Sequence, residues 1–194
     1  MNLLDRIEQT FSASMNTQQA TLTVQHNHIA LAAQMMTHCL LAGGKILSCG
    51  NGASASDAEH FTTLMLHRFE TDRPGLPAIT LTHTSTLSAI AEDGQREQIF
   101  AKQVQTLAHS EDILLVIGRD GNTSNLIEAV KTGHQRGLHV VALSGHSGGE
   151  LALHLAPDDI EIRIPSESTP RIQEMHRLVI HCLCDLIDHQ LLGA

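Results

Sequence analysis

An α/β fold with a parallel sheet covered by helices on both faces is what this sequence predicts, and three observations carry that expectation. Short apolar runs alternate with longer helix-like stretches along the chain, the pattern of strands joined by crossover helices. Most of the strand-like runs are largely apolar, as strands buried on both sides are. Glycine-rich turns at 50–54, 118–123 and 144–149 follow three of these runs, beyond the carboxyl ends of strands, where parallel sheets bind their ligands.

Taken in order, segments 2–20 and 26–42 read as two amphipathic helices, the first placing Leu3, Leu4, Ile7 and Phe11 on one face. Gly43 and Gly44 end the second, as glycine does at a helix C-terminus. Residues 45–49 (KILSC) predict a strand and 54–68 a helix. Residues 77–82 (PAITLT) predict a strand, followed by helices near 85–92 and 95–108. A strand at 112–117, a helix at 122–136, a strand at 139–143, a short helix at 148–155 and a strand at 160–164 follow. The last helix, 170–191, carries Ile172, Met175, Leu178, Val179, Ile180, Leu183, Leu186, Ile187 and Leu191. Such breadth of apolar surface predicts burial on most sides, and in a small domain that predicts homo-oligomer contacts.

The 194 residues suit a single domain, 1–194, with 1–42 as an N-terminal helical segment. At 42% hydrophobic and 17% charged, the composition is globular. A formal charge of −9 disfavours direct nucleic-acid binding. No apolar run approaches the roughly 20 residues that span a bilayer, and the start MNLLDRIEQTF lacks the marks of a secretory signal, so a cytoplasmic protein without membrane contact is expected. Cys39, Cys49, Cys182 and Cys184 form no CxxC pair and predict reduced thiols. Among the 14 histidines, His26, His28, His134, His139 and His154 are expected at the surface.

Two loops and one helix carry candidate chemistry. In CGNGASASDAEH, Asn51 and Gly52 can aim backbone N–H groups at an anion, with Ser54 capping the helix and offering its hydroxyl. A plain strand-to-helix turn is the alternative. In VIGRDGNTSNL, Gly121, Asn122 and Thr123 repeat the arrangement, but Asp120 repels phosphate unless Arg119 offsets it. A capped helix with a solvated Arg–Asp pair fits equally. In RIQEMHRLVIHCLCDLID, Gln173 and His181 share a helical face and could join His60 around a metal or a sugar; packed, hydrogen-bonded histidines are the competing reading.

The segments CGNGAS, RPGLPAI, GNT, ALSGHSGG, EIRIP and RIQEMH, spread over nearly the whole chain, resemble the sugar isomerase (SIS) domain family and, within it, the phosphoheptose isomerases. That resemblance implies a three-layer αβα sandwich on a five-stranded parallel sheet, N- and C-terminal helices in tetramer contacts, and ligand pockets at subunit boundaries. It implies sugar-phosphate binding by Asn51, Gly52, Ser54, Asp93, Thr123 and Gln173, with Glu92 replacing the partner of Asp93. It also implies metal ligation by His60, Gln173 and His181. Where the family pattern places a glutamate that is both ligand and base, this chain has Leu64. A leucine neither accepts a proton nor binds zinc, and loss of a positioned base typically costs about 100- to 10,000-fold in rate.

LHRFETDRPGLPAI, AKQVQTLAHSEDILLVI, GGELA, EIRIPS, RIQEMH and CLCDLID further resemble the branch of the family that associates with the replication initiator DnaA. The resulting expectation is a non-enzymatic homotetramer that binds DnaA and promotes its assembly at the origin, multivalency raising the effective concentration. It has no required cofactor, though zinc stays open, and Leu191 and Leu192 are contact candidates. The alternatives are a phosphoheptose isomerase converting sedoheptulose 7-phosphate to a heptose 7-phosphate, with His181 as the candidate catalytic residue, or a sugar-phosphate binder without turnover.

Overall fold

A computed structural model describes residues 2–193. Its elements run α1 (Leu3–Leu41), β1 (Ile46–Gly50), α2 (Ala53–Leu66), β2 (Ala78–Thr80), α3 (Thr84–Glu92), α4 (Ala101–Leu107), β3 (Ile113–Ile117), α5 (Ser124–Gln135), β4 (His139–Gly145), α6 (Gly149–Leu153), β5 (Ile160–Ile164) and α7 (Thr169–Leu192). All strands are parallel, in the order β2-β1-β3-β4-β5. The expected five-stranded αβα sandwich is therefore present.

Strand alternation divides the core into two layers. Ile113, Leu115 and Ile117 of β3 point toward α1, α2 and α7, packing with Met36, Phe61, Met65, Ile172 and Leu183. Leu114 and Val116 point the other way, toward Phe100, Val104, Leu126 and Val130. Every residue of β3 is buried, which is why the run shows no polar alternation. The four cysteines are free; Cys39, Cys49 and Cys184 are buried and Cys182 is half-buried. Burial raises the Cys39 thiol to about 11 and the Cys184 thiol to about 12.

The N-terminal region differs from expectation: 2–20 and 26–42 are one helix of 39 residues, about 58 Å long. The intervening stretch TLTV is rich in β-branched residues, which are weak helix formers. Instead, Thr21 and Thr23 donate their hydroxyls to the carbonyls of Thr17 and Gln19, both at 2.8 Å, leaving the helix continuous. Asn2 and Asp5 form a capping box at its start. Near this end, α1 is tied to α7 by Arg171 Nη1 donating to the Thr10 carbonyl at 2.7 Å and by Ser14 donating to Glu174 at 2.9 Å. Leu3 is 80% and Phe11 67% exposed, and Leu4, Ile7, Met15 and Leu22 are exposed with them.

Much of the apolar breadth of α7 is satisfied within the chain. Ile172, Met175, Val179, Ile180, Leu183 and Ile187 are buried by α1, α2 and the sheet, while Leu178 and Leu192 remain exposed. The helix expected at 95–108 begins only at Ala101, after a 3₁₀ turn at Arg96–Gln98. His26, His28 and His139 are exposed; His134 and His154 are half-buried. Among the described residues no helix is long and apolar enough to cross a membrane.

Candidate functional site

The two glycine-rich loops meet at the carboxyl ends of β1 and β3. Asn51 and Asn125 bridge them with a reciprocal amide pair, at 2.8 and 3.1 Å. Below this bridge lies a cleft of about 290 Å³ lined by Asn51, Gly52, Ser54, Asp120, Thr123 and Gln173, among others. The first turns of α2 and α5 border it, so unsatisfied N–H groups and two helix dipoles favour an anion there. Gly52, at φ +58, is the N-cap of α2, a backbone region open chiefly to glycine. Ser54 does not cap the helix, as the sequence suggested; it sits one residue inside α2 and is buried. Thr123 is the N-cap of α5 but makes no side-chain cap bond, so its hydroxyl is left for a ligand. Asp120 is partly neutralised: it accepts the Asn122 N–H at 3.0 Å and lies 3.5 Å from Arg119.

From this cleft a ladder of paired side chains runs between α2 and α7. Ser54 and Gln173 line the cleft itself. One turn on, Asp57 Oδ1 and Arg177 Nη2 form an ion pair at 2.6 Å, with the carboxylate buried. One turn further, His60 Nε2 and His181 Nε2 are hydrogen-bonded at 2.9 Å, their rings edge to face. Leu64, half-buried against the core, follows. Positions 173, 177 and 181 are one helical stripe, so the register is set by periodicity alone. Burial lowers the His60 pKa, and the Arg177 and His181 charges lower it further, favouring a neutral imidazole that can take a proton. Burial raises the Asp57 pKa, opposed by Arg177.

The structure therefore gathers Asn51, Gly52, Ser54, Thr123 and Gln173 around one cleft and pairs His60 with His181. Asp93 lies elsewhere, exposed as the C-cap of α3, outside the cleft lining. Leu191 and Leu192 line a separate small apolar hollow with Leu40, Leu41 and Leu76; Leu191 is partly buried and Leu192 48% exposed. A larger hollow, about 660 Å³, lies at the amino ends of the strands beside His28, Met35 and His139. Its buried carboxylates are already engaged: Asp112 by Lys45 and the His109 N–H, Asp159 by His134 and two backbone N–H groups. Asp57 and Asn125 carried no expectation from sequence, and Arg177 none beyond its place on the helix. The i, i+4, i+8 spacing of Gln173, Arg177 and His181 was the signal that could have found Arg177.

The residues present do not fit the zinc that the resemblance implied. Among the described residues no three His, Cys, Asp or Glu side chains gather around one point. The carboxylate position is Leu64, and the two imidazoles bond each other. What remains is two imidazoles and one amide beside a guanidinium, a poor donor set for a divalent cation.

Residues 10–145 match the SIS domain family, and the chain belongs to it. Across 195 aligned positions it is 53% identical to the phosphoheptose isomerase of Alkalilimnicola ehrlichii, covering all of both chains. It is 50% identical to that of Chromohalobacter salexigens, covering all of this chain and 99% of the relative. The solved structure of a phosphoheptose isomerase from Francisella tularensis superposes with a TM-score of 0.94 at 45% identity, over 97% of this chain and 100% of that one. The enzyme GmhA from Neisseria gonorrhoeae gives 0.91 at 41% identity, over 96% and 99%.

These findings correct the expectation of a non-enzymatic DnaA-binding protein: the full-length relatives are phosphoheptose isomerases. Several segments behind that expectation are framework. In EIRIP, RIQEMH and CLCDLID, the residues Ile162, Ile164, Ile172, Met175, Leu183, Cys184 and Ile187 are buried. Buried positions report packing common to the fold, and say little about a partner.

Proposed function

We propose that the protein is an aldose–ketose isomerase of a phosphorylated seven-carbon sugar, converting sedoheptulose 7-phosphate to a heptose 7-phosphate. The observation that carries this reading is the ladder itself: a polar cleft and a histidine pair lie along one α2–α7 seam in a chain 53% identical, end to end, to a phosphoheptose isomerase. The phosphate occupies the cleft, taking N–H groups from the starts of α2 and α5 and the Thr123 hydroxyl. The sugar then extends along the groove toward His60 and His181. One imidazole takes the proton from C1 of the ketose and returns it at C2, while the hydroxyl proton moves from O1 to O2. His181 is the candidate catalytic group, and neutral His60 orients it and shares the proton.

A second reading, binding without turnover, is favoured by one observation: Leu64 is an aliphatic side chain where the family resemblance places a base. One experiment separates the two. Purified protein is mixed with sedoheptulose 7-phosphate; aldose formation is followed by NMR and binding by titration calorimetry. Conversion that His181→Ala abolishes supports the isomerase. Binding without conversion supports the second reading, and absence of both overturns the two together.

We also propose that the chain self-associates as a homotetramer. The apolar stripe along the first half of α1, from Leu3 to Leu22, is the support, since contiguous exposed apolar surface of this kind marks interaction sites.

A further inference from the structure

Arg177 lies between the two halves of the groove. Gln173 and His181 are eight residues apart on α7, about 12 Å along the helix axis. Any ion or atom touched by both has to sit over the midpoint of that span, which is position 177. That midpoint carries a guanidinium, turned across to Asp57 at 2.6 Å. Arg177 is only partly buried, with 37% of its side chain accessible, whereas the Asp57 side chain is 6% accessible. The cation thus stays accessible to solvent while its counterion is shut away.

We infer that Arg177 is the resident cation of this site: it occupies the place of a shared metal ion and engages the oxygens of the bound sugar, with Asp57 as the counterion that holds it there. Three features fit together under this assignment. The carboxylate that would draw in a divalent ion is absent at Leu64. A fixed positive charge repels such an ion from the remaining donors. A guanidinium also offers several N–H groups in a fixed plane, suited to paired oxygens such as those on adjacent carbons of a sugar or its enediolate. Lysine would not reproduce that fork. The identity of the ligand rests on the proposed function; the displacement of metal by Arg177 does not.

The test uses the full chain and has two arms. Removing Arg177 alone strands a buried carboxylate, so the variant is the double substitution Asp57→Asn with Arg177→Met, checked by circular dichroism for a native spectrum. In the first arm, zinc is titrated by calorimetry. The double variant, with His60, Gln173 and His181 uncovered, is expected to bind zinc at least about tenfold more tightly than the wild type. Equal affinity, or stoichiometric tight binding by the wild type, overturns the assignment. In the second arm, sedoheptulose 7-phosphate is titrated against Arg177→Lys, which keeps the charge and the partner for Asp57. Loss of charge-assisted hydrogen bonds predicts affinity weaker by about 10- to 100-fold, and unchanged affinity overturns the ligand contact. If the wild type binds no sugar phosphate, the proposed function fails and the ligand contact with it. The metal displacement is still decided by the zinc arm.

Discussion

Acidifying the protein from pH 7 to pH 4.5 should remove about 2 kcal/mol of stability through His176 alone, a figure that follows from its surroundings. His176 of α7 is fully buried beneath β4, its Nε2 3.0 Å from the Ser144 carbonyl, and its Nδ1 has no hydrogen-bond partner. Nε2 therefore carries the hydrogen and donates it, and the ring is neutral. Burial pushes its pKa down from 6.5 to about 4, against a smaller opposing effect of the Ser144 bond. The unfolded chain takes up a proton below about pH 6.5, while the folded chain resists until about pH 4. Stability is thus full above the upper value and falls as pH drops through the window. The assay is urea unfolding at both pH values, at fixed protein concentration, for the wild type and for His176→Gln. Glutamine keeps a donor for Ser144 but has no proton to gain. The wild type should lose about 2 kcal/mol more than the variant between the two pH values. Losses equal to within about 0.5 kcal/mol, the usual scatter of such comparisons, would refute the reasoning.

Leu64→Glu restores a carboxylate one turn from His60 on α2. Turnover of sedoheptulose 7-phosphate, measured by NMR, should rise by about 100-fold or more; no gain would show that the missing carboxylate does not limit the rate. Gly121→Ala should both destabilise the fold by more than about 1 kcal/mol and weaken sugar-phosphate binding. Gly121 has φ +69, and an added Cβ would stand 1.8 Å from the Gly148 carbonyl oxygen, so the loop carrying Thr123 has to move. Thermal melting and calorimetry read the two effects, and a variant with wild-type values in both would show the loop to be more plastic than its packing suggests. Ile7→Asp with Phe11→Asp places two charges on the exposed α1 stripe and should lower the mass seen by light scattering from tetramer toward smaller species. An unchanged mass would locate self-association elsewhere.

The sheet was legible because burial on both faces leaves a chemical mark. KILSC and DILLVI are mainly apolar runs of strand length between turn signals, IEIRI alternates isoleucine with Glu161 and Arg163 at the sheet edge, and each is a strand within one residue of its expected limits. The long N-terminal helix was less legible, because Thr21 and Thr23 fall between the two expected helices yet satisfy their own hydroxyls inside one. The site was legible as residue types on loops: Asn51, Gly52, Thr123 and Gln173 were expected together and line one cleft. Its cross-helix pairings were not. Asp57 reads as an ordinary residue of a helix first half until α7 is laid beside it, and only the packing of α2 on α7 joins it to Arg177 across 120 positions of sequence. Function was the least legible, since one missing carboxylate and several core-forming segments pointed away from the enzymes that the whole chain resembles.

The condition of the four sulfurs has a practical consequence. Thiolate is the reactive form, and burial holds Cys39, Cys49, Cys182 and Cys184 away from it. The native chain is thereby close to blank toward maleimide dyes. A cysteine introduced at Ser56, exposed on the first turn of α2 beside the cleft, would take label ahead of them and give a fluorescent report of whatever enters the groove.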